Sequence, residues 1–169
     1  MLLKRKTSAK TLKLQEKYGV PYLVFPSLEN TGLVRHAFST RLGGCSTGDL
    51  ATMNLSSTRG DDPENVKENF RRFGAAVGFD PKDLVLSLQT HTTNVRLVTE
   101  EDRGKGFTRP RDYKAVDGLV TNVPGLVLAT FYADCVPLYF VDPVHRAIGL
   151  SHSGWRGTVN RMGEVTLQR

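Results

Sequence analysis

The sequence of 169 residues is poor in cysteine, in histidine and in long apolar runs. It has 2 cysteines and 4 histidines, and no apolar stretch approaches the roughly 20 residues that a membrane-spanning helix requires. The basic start of the chain is not followed by the apolar region of a secretory signal, so we expect a cytoplasmic protein without a membrane partner. In a reducing cytoplasm, the two cysteines are more often free thiols or metal ligands than a disulfide.

Beyond the first 20 residues, basic and acidic side chains nearly balance, so there is little net charge of either sign. The net charge is +6, and residues 1–20 hold six basic residues against one acidic residue. We therefore distinguish a basic N-terminal segment, residues 1–20, from a globular domain, residues 21–169. The segment is either a solvated basic helix or a site of nonspecific attraction to polyanions, and we expect no specific nucleic-acid partner.

The content of hydrophobic residues, 39%, is typical of a globular domain with its own core. The sequence predicts a long helix that begins at Pro63 after the N-cap residue Asp62, buries one apolar stripe and stops at Gly78. Residues 100–116 are charged and contain glycine and proline, which predicts a mobile loop or lid. The other expected elements are helices over 8–18 and from 154–158, a turn over 26–32, and strands over 22–25, 33–38, 84–88, 94–99, 118–121, 126–132, 138–141 and 147–151.

This order of elements favours a mixed α/β (α+β) fold over a doubly wound sheet. We expect a single domain in which helices flank a mixed sheet, since the sequence contains no internal repeat and no domain linker. The chain stops soon after its last helix begins, and we therefore expect that a C-terminal part of the domain is missing. The oligomeric state has no signal in the sequence.

Three residues with metal-binding side chains, His91, Cys135 and His152, each lie at or just past the end of a strand-like run. Two imidazoles and a thiolate form a complete protein ligand set for a catalytic zinc, which keeps its fourth position open. Wide spacing along the chain suits a catalytic site better than a compact structural one. The alternatives are ordinary hydrogen-bonded histidines with a buried, inert cysteine, or a metal-free enzyme with Cys135 as nucleophile and His152 as base.

Other polar residues are candidates for binding a substrate. Asp134 either orients a ligand histidine or faces away from it, and Asp117 is either a turn residue or a substrate acceptor. Arg41 and the Gly43-Gly44 pair form a glycine-rich loop in which backbone N–H groups and a guanidinium can approach an anion such as phosphate. Arg156 either adds a second positive group or forms a salt bridge.

Seven short segments identify a resemblance, because they occur together and in one order. The chain resembles the bacterial laccase-domain, or multicopper polyphenol oxidase, family, whose members are now regarded as purine nucleoside phosphorylases. The pair of motifs that contains Cys135 and His152 is the most specific part of this resemblance. The segments are 38–44 (FSTRLGG), 54–55 (NL), 60–66 (GDDPENV), 89–91 (QTH), 117–119 (DGL), 133–137 (ADCVP) and 152–157 (HSGWRG).

The resemblance implies that His91, Cys135 and His152 bind zinc and, with the loop arginine Arg41, form the catalytic site. It implies phosphorolysis of adenosine, inosine, guanosine and methylthioadenosine, with adenosine deamination as a companion activity. The partners are then a purine nucleoside and phosphate, and the expected fold is similar to that of a deamidating bacterial toxin domain. We assign substrate contacts to Arg41, Gly43, Gly44, Asn54, Asp117, Asp134 and Arg156.

The chain departs from the family pattern in two places. Thr92 follows the first histidine, where many members have glycine, which changes the loop but not the ligand. Family members also continue well beyond the Trp155-Arg156-Gly157 helix, so substrate contacts of that part would be absent and an inactive fragment is one alternative.

The number of histidines tests whether the chain can bind the several copper ions that the family name implies. A blue-copper site takes two histidines and one cysteine, which leaves two of the 4 histidines for a trinuclear copper cluster. Four copper ions cannot be ligated in this way, although one copper ion can occupy the zinc site opportunistically. We therefore discount laccase activity as the native role and retain a copper-dependent polyphenol oxidase of the laccase type only as the alternative to a zinc enzyme.

Overall fold

A computed structural model describes residues 11–169 of the chain. The chain divides into two compact units, the first reaching Val77 and the second covering Gly78–Arg169. Strands and helices are mixed, as the sequence predicted, but the strands of the described part form three sheets rather than one. Within residues 11–169, no helix is both long and apolar enough to cross a membrane.

The first unit contains a three-stranded antiparallel sheet. The strands β1 (Lys13–Lys17) and β2 (Val20–Val24) form a hairpin, and β3 (Phe38–Ser39) pairs with the other edge of β2. The turn residues Tyr18 and Gly19 have φ angles of 53° and 73°, which a two-residue hairpin turn requires. Alternate residues of β2 are buried. The strand β1 lies within residues 1–20, so the described part of the basic N-terminal segment contributes a strand to this sheet.

Two predictions in the first unit are wrong. The expected helix over 8–18 is the strand β1 in its described part, because the tight turn after Lys17 sends the chain back along it. Residues 8–10 lie outside the described residues, as do the basic residues before them. The expected strand over 33–38 is irregular except for Phe38, since only β3 reaches the edge of β2, and the turn over 26–32 contains a short helix, α1 (Pro26–Glu29).

The long helix α2 (Pro63–Val77) has the bounds that the sequence predicted. Asp62 caps it, since its carboxylate accepts the N–H of Glu64 at 2.9 Å. Gly78 follows with a φ of 94°, a conformation in which glycine commonly ends helices. Of the predicted apolar stripe, Val66 and Phe70 are buried, and Phe73 and Val77 pack at the border of a cluster in the first unit. The buried members of this cluster are Val20, Tyr22, Val24, Met53 and Ala76.

The second unit contains the remaining two sheets. One is a parallel pair of β4 (Leu84–Leu86) and β7 (Val127–Ala129). The other is a mixed sheet of four strands in the order β5-β6-β9-β8, parallel between β5 and β6 and antiparallel elsewhere. The helices α3 (Trp155–Val159) and α4 (Met162–Leu167) follow the last strand. The strands of the second sheet are β5 (Val95–Leu97), β6 (Gly118–Thr121), β8 (Val136–Asp142) and β9 (Ala147–Ser153).

The segment 100–116, predicted as a mobile loop or lid, is packed into the second unit. Tyr113 is buried in its core, and its hydroxyl donates to the carbonyl of Leu86 at 2.7 Å. Lys105 is also buried, and its ammonium group is 2.8 Å from both Asp102 and Asp112. The two buried charges of this segment, Asp102 and Lys105, are thus paired with each other, as buried charges must be.

Candidate metal centre

The structure brings His91, Cys135 and His152 together. Their ligand atoms, the imidazole nitrogens and Sγ, all lie within 4.8 Å of one another. His152 is in β9, and Cys135 immediately precedes β8, which pairs with β9. His91 lies in the loop that follows β4. Sheet pairing thus brings two of the ligands together, and a loop supplies the third.

The backbone around His91 is shaped by the carboxylate of Asp117. Three consecutive N–H groups, those of Thr90, His91 and Thr92, donate to it at 3.0 Å each. His91 has a φ of 64°, in the left-handed region that nonglycine residues seldom adopt. Such a turn directs successive N–H groups to one anion, so Asp117 stabilises the conformation that presents the His91 ring.

The same carboxylate fixes the ring of His152. The Nδ1 atom of His152 lies 2.8 Å from Oδ1 of Asp117, and both residues are buried. Burial alone would raise the pKa of Asp117, but hydrogen bonds from Thr90, Thr92 and His152 outweigh it and hold that pKa below its usual value. The ionised carboxylate accepts the Nδ1 proton, so the lone pair on Nε2 of His152 is left for a metal ion.

Gly154 allows the backbone to approach two of the ligands closely. A methyl group at this position would lie 3.0 Å from both Sγ of Cys135 and Cδ2 of His91. That separation is shorter than ordinary van der Waals contacts, so a larger residue would push the ligands aside. Gly154 is also the residue that precedes the first turn of α3.

The cluster is closed on one side and open on the other. His152 is buried, Cys135 is half-buried and His91 is exposed. The rings of His91 and His152 meet edge to face with centroids 5.0 Å apart, and the ring of Tyr132 lies 5.6 Å from that of His152. Burial raises the pKa of Tyr132 and keeps its hydroxyl protonated. Because His91 is the exposed member of the cluster, a fourth ligand can reach the cluster from the side of His91.

The three residues fit a zinc ion. Donors around one tetrahedral zinc are separated by roughly 3.3–3.8 Å, so side-chain shifts of about 1 Å complete the arrangement. The hydrogen bond from His152 to a carboxylate is the usual support of a zinc-bound histidine. Copper also binds two imidazoles and a thiolate, and this donor set does not distinguish the two metals.

The candidate substrate residues of the second unit differ in their surroundings. Asp134 is exposed, and Asp117 rather than Asp134 orients a ligand histidine. Asp117 is fully buried and its oxygens bind protein groups, so it does not face a substrate in this structure. Arg156 is exposed and its guanidinium lies over the ring of Trp155; within residues 11–169 it makes no salt bridge.

The glycine-rich loop belongs to the first unit. The guanidinium of Arg41 binds backbone carbonyls of its own loop, those of Ala51 and Asp49. The N–H of Gly44 donates to Oγ1 of Thr52 at 3.2 Å, so this amide is not free to bind an anion. A methyl group at Gly43 would lie 2.7 Å from the carbonyl oxygen of Gly19, which shows that close packing requires this glycine.

Asn54 joins a polar network in the first unit. Its amide nitrogen donates to Asp61 at 2.8 Å, and its oxygen accepts the N–H of Ser56. Asp61 also accepts from Ser46, and these hydrogen bonds lower the pKa of Asp61. In this structure, the side chain of Asn54 stabilises the loop, and substrate contact by Asn54 stays a prediction.

Sequence reasoning missed Gly154, which packs against two of the ligands, and Gln89, which lies two residues before His91. The side chain of Gln89 bonds the backbone of Phe131, which precedes Cys135 in the chain. Both residues stood in motifs of the resemblance, which was the available signal. Their roles depend on which loops are neighbours, and that is not visible in a local pattern.

Comparisons with known proteins place the chain among enzymes of one family. A purine nucleoside phosphorylase of Deinococcus radiodurans is 41% identical over 151 residues, which are 89% of this chain and 54% of that protein. The purine nucleoside phosphorylase YlmD of Bacillus subtilis is 37% identical and is matched over 83% of this chain and 51% of its own length. This chain thus spans about half the length of these relatives.

Two solved structures have a fold similar to that of this chain over about half of their length. The structure of YlmD from Geobacillus stearothermophilus superposes with a TM-score of 0.74 at 34% identity, covering 88% of this chain and 55% of that chain. A hypothetical protein, YfiH, of Bacillus licheniformis gives a TM-score of 0.76 at 34% identity, covering 86% and 53%. The family model described as multi-copper polyphenol oxidoreductase laccase matches residues 35–169. The chain therefore belongs to this laccase-domain family, and its relatives from Deinococcus radiodurans and Bacillus subtilis are named purine nucleoside phosphorylases.

Proposed function

We propose that the chain is a zinc-dependent purine nucleoside phosphorylase, which cleaves adenosine, inosine or methylthioadenosine with phosphate and has adenosine deaminase side activity. The observation that carries the proposal is the convergence of His91, Cys135 and His152 within 4.8 Å. The names of the relatives support the reaction class. Since this chain spans about half of their length, the activity of a whole protein is part of the proposal.

We prefer a single zinc ion to a set of copper ions because only two of the four histidines lie in the cluster. The other two histidines of the chain have different partners: His36 accepts the N–H of Phe25, and His145 pairs with Asp142. Two imidazoles and one thiolate then hold one metal ion, and a laccase needs several. A zinc ion held by these three residues would supply Lewis acidity and positive charge at the reacting centre.

The residues of the chain then have separate tasks. Asp117 orients the ring of His152 and the backbone of the His91 loop before substrate binds. The exposed guanidinium of Arg156, close in sequence to His152, can attract phosphate. Arg41 remains the proposed phosphate ligand of the glycine-rich loop, for which it must exchange its carbonyl partners Ala51 and Asp49 for phosphate oxygens.

The test is a coupled measurement of products and metal. Purified protein is incubated with adenosine and phosphate, adenine, hypoxanthine and ribose 1-phosphate are quantified, and zinc is measured on the same sample. His91→Ala removes one ligand, and we expect it to abolish both bound zinc and nucleoside cleavage. His145→Ala is the matched control, since this exposed histidine pairs with Asp142 and should change neither. Full activity of a metal-free His91→Ala protein would refute the assignment.

One observation favours a second candidate, a metal-free hydrolase or deamidase. The carboxylate of Asp117 holds the imidazole of His152, and a nitrogen of that ring lies within 4.8 Å of the sulfur of Cys135. A nucleophilic cysteine enzyme uses this order of groups. Removal of metal by a chelator separates the two: the zinc enzyme loses its activity, whereas a cysteine enzyme keeps it and is inactivated by alkylation of Cys135.

A further inference from the structure

The side chain of Gln89 forms hydrogen bonds with the backbone of Phe131 that a neighbouring strand would otherwise form. Its amide nitrogen donates to the carbonyl of Phe131 at 2.6 Å, and its oxygen accepts the N–H of Phe131 at 2.8 Å. The hydroxyl of Ser87 donates to the same oxygen at 2.8 Å. Both hydrogen-bonding groups of one residue are thus bound by one side chain, which is the pattern of a pair in a β-ladder.

This contact continues the parallel pairing of β4 and β7. The ladder of these strands ends at Leu86 and Ala129, and the N–H of Ser87 still donates to the carbonyl of Ala129 at 3.1 Å. Beyond that point the two segments are joined through the amide of Gln89. The side chain therefore extends the connection between the strands toward the metal centre.

Each segment held by this contact carries a ligand of the metal centre. Gln89 precedes His91 by two residues, and Phe131 precedes Cys135 by four. Asp117 fixes His91 relative to His152. The pairing of β8 with β9 holds Cys135 from its C-terminal side, whereas residues 131–135, which precede β8, are in no strand. The contact of Gln89 with Phe131 holds this segment from its N-terminal side.

We propose that Gln89 is a positioning residue that holds the segment of Cys135 at the distance from His91 which a metal ion requires. The proposal rests on the proposed function, because it concerns the same metal centre. Gln89 acts through the backbone of Phe131 and makes no contact with the ion itself. A flexible Cys135 segment would cost metal affinity, since the thiolate would have to be ordered during binding.

The test compares Gln89→Met with the protein as it is. Methionine keeps the length of the side chain and removes both polar groups. Zn²⁺ affinity is measured by competition with a chromophoric chelator, and Co²⁺ binding by the thiolate-to-cobalt charge-transfer absorption that reports on Cys135. We expect the variant to bind Zn²⁺ roughly 10-fold more weakly or worse, the range for residues that orient metal ligands, and to lose charge-transfer intensity.

A matched variant, Gln168→Met, controls for the substitution itself. Gln168 is exposed and its amide donates to Glu164, so zinc affinity and the cobalt spectrum should not change. If the unaltered protein binds neither metal, the proposed function fails, and this proposal with it. If the unaltered protein binds zinc and Gln89→Met has the same affinity and the same spectrum, only the positioning role is overturned.

Two further measurements decide the matter if Gln89→Met does not fold. Gln89→Glu keeps the acceptor for the N–H of Phe131 but sets a carboxylate oxygen against the carbonyl, and should also weaken zinc binding. Hydrogen exchange on the unaltered protein reports directly on the N–H of Phe131. We expect this amide to be protected, and exchange as fast as that of an exposed amide overturns the proposal.

Discussion

Asp117 and His152 form the buried hydrogen bond on which the candidate metal centre depends. The Nδ1 atom of His152 lies 2.8 Å from Oδ1 of Asp117, and the two side chains are 5% and 0% exposed. The same carboxylate accepts the N–H of His91 at 3.0 Å. One buried carboxylate thus orients one ligand through its ring and another through its backbone.

Replacement of Asp117 by asparagine should weaken both metal binding and the fold. The amide NH₂ group of asparagine would face N–H donors, and each buried donor left without an acceptor costs about 1–3 kcal/mol. Zinc affinity should fall by about 10–100-fold, as is typical for a carboxylate behind a ligand histidine. Urea unfolding and zinc competition measure the two effects.

The control for this substitution is Asp134→Asn, because Asp134 is exposed and stands next to Cys135 in the chain. It should leave both the unfolding free energy and the zinc affinity almost unchanged. Equal losses in the two variants would show that Asp117 has no special role behind the ligands.

Gly154→Ala should weaken zinc binding through steric contact alone. Its methyl group would lie 3.0 Å from Sγ of Cys135 and from Cδ2 of His91. We expect a loss of about 10-fold or more in zinc affinity, as for other changes that misplace metal ligands. Gly163→Ala is the control, since the nearest atom there is 3.8 Å away and the residue lies in α4.

The control has its own expected result. Alanine in a helix is favoured over glycine by roughly 0.5–1 kcal/mol, so Gly163→Ala should raise the unfolding free energy without changing zinc affinity. If Gly154→Ala binds zinc as tightly as Gly163→Ala does, the close approach at Gly154 is unimportant for the metal centre.

Local signals account for the parts of the fold that the sequence predicted well. The helix α2 has its cap, its proline at the first position and its apolar stripe within one segment, and both ends agree with the structure. The strand β6 was also predicted with its observed bounds. By contrast, Leu33 to Ala37 have the residue types of a strand but do not join a sheet, since pairing depends on a neighbour that local sequence does not reveal.

The candidate site was predicted in the same uneven way. His91, Cys135 and His152 were found because imidazole and thiolate are specific ligand types and because each follows a strand-like run. The role of Asp117 was not settled, since an Asp-Gly pair also suggests a turn. Its task depends on β6 lying beside β9, which is a property of the assembled sheet.

Gly44→Ala should destabilise the first unit strongly. A methyl group there would lie 2.0 Å from the carbonyl oxygen of Thr52 and 2.6 Å from Oδ1 of Asn69. Asn69 is fully buried and accepts the N–H of Cys45, so it has no room to yield. Overpacking of this kind costs about 1–3 kcal/mol or more, which urea unfolding measures.

The matched substitution is Gly60→Ala. Gly60 has a φ of 81° and no atom within 4 Å of the added methyl group, so it tests the backbone conformation without the steric contact. It should cost about 1–2 kcal/mol. A Gly44→Ala protein that is more stable than Gly60→Ala would show that the glycine-rich loop is not closely packed.

His36→Gln should change how the stability of the protein depends on pH. The Nε2 atom of His36 accepts the N–H of Phe25 at 2.8 Å, and a protonated imidazole has no acceptor to offer. Burial lowers the pKa of His36 below 6.5 by more than Glu29 raises it. The unfolded chain therefore takes up this proton first, and the unfolding free energy falls as the pH drops below about 6.5.

Glutamine keeps a side-chain acceptor in this place and does not titrate. Urea unfolding of both proteins in steps from about pH 8 to about pH 5 isolates the contribution of His36, because all other groups are common to the two. The difference in unfolding free energy should be constant at the upper end of this range and should shift in favour of His36→Gln below about pH 6.5. A difference that stays constant across the whole range means that the fold does not disfavour protonation of His36, contrary to the contact with Phe25.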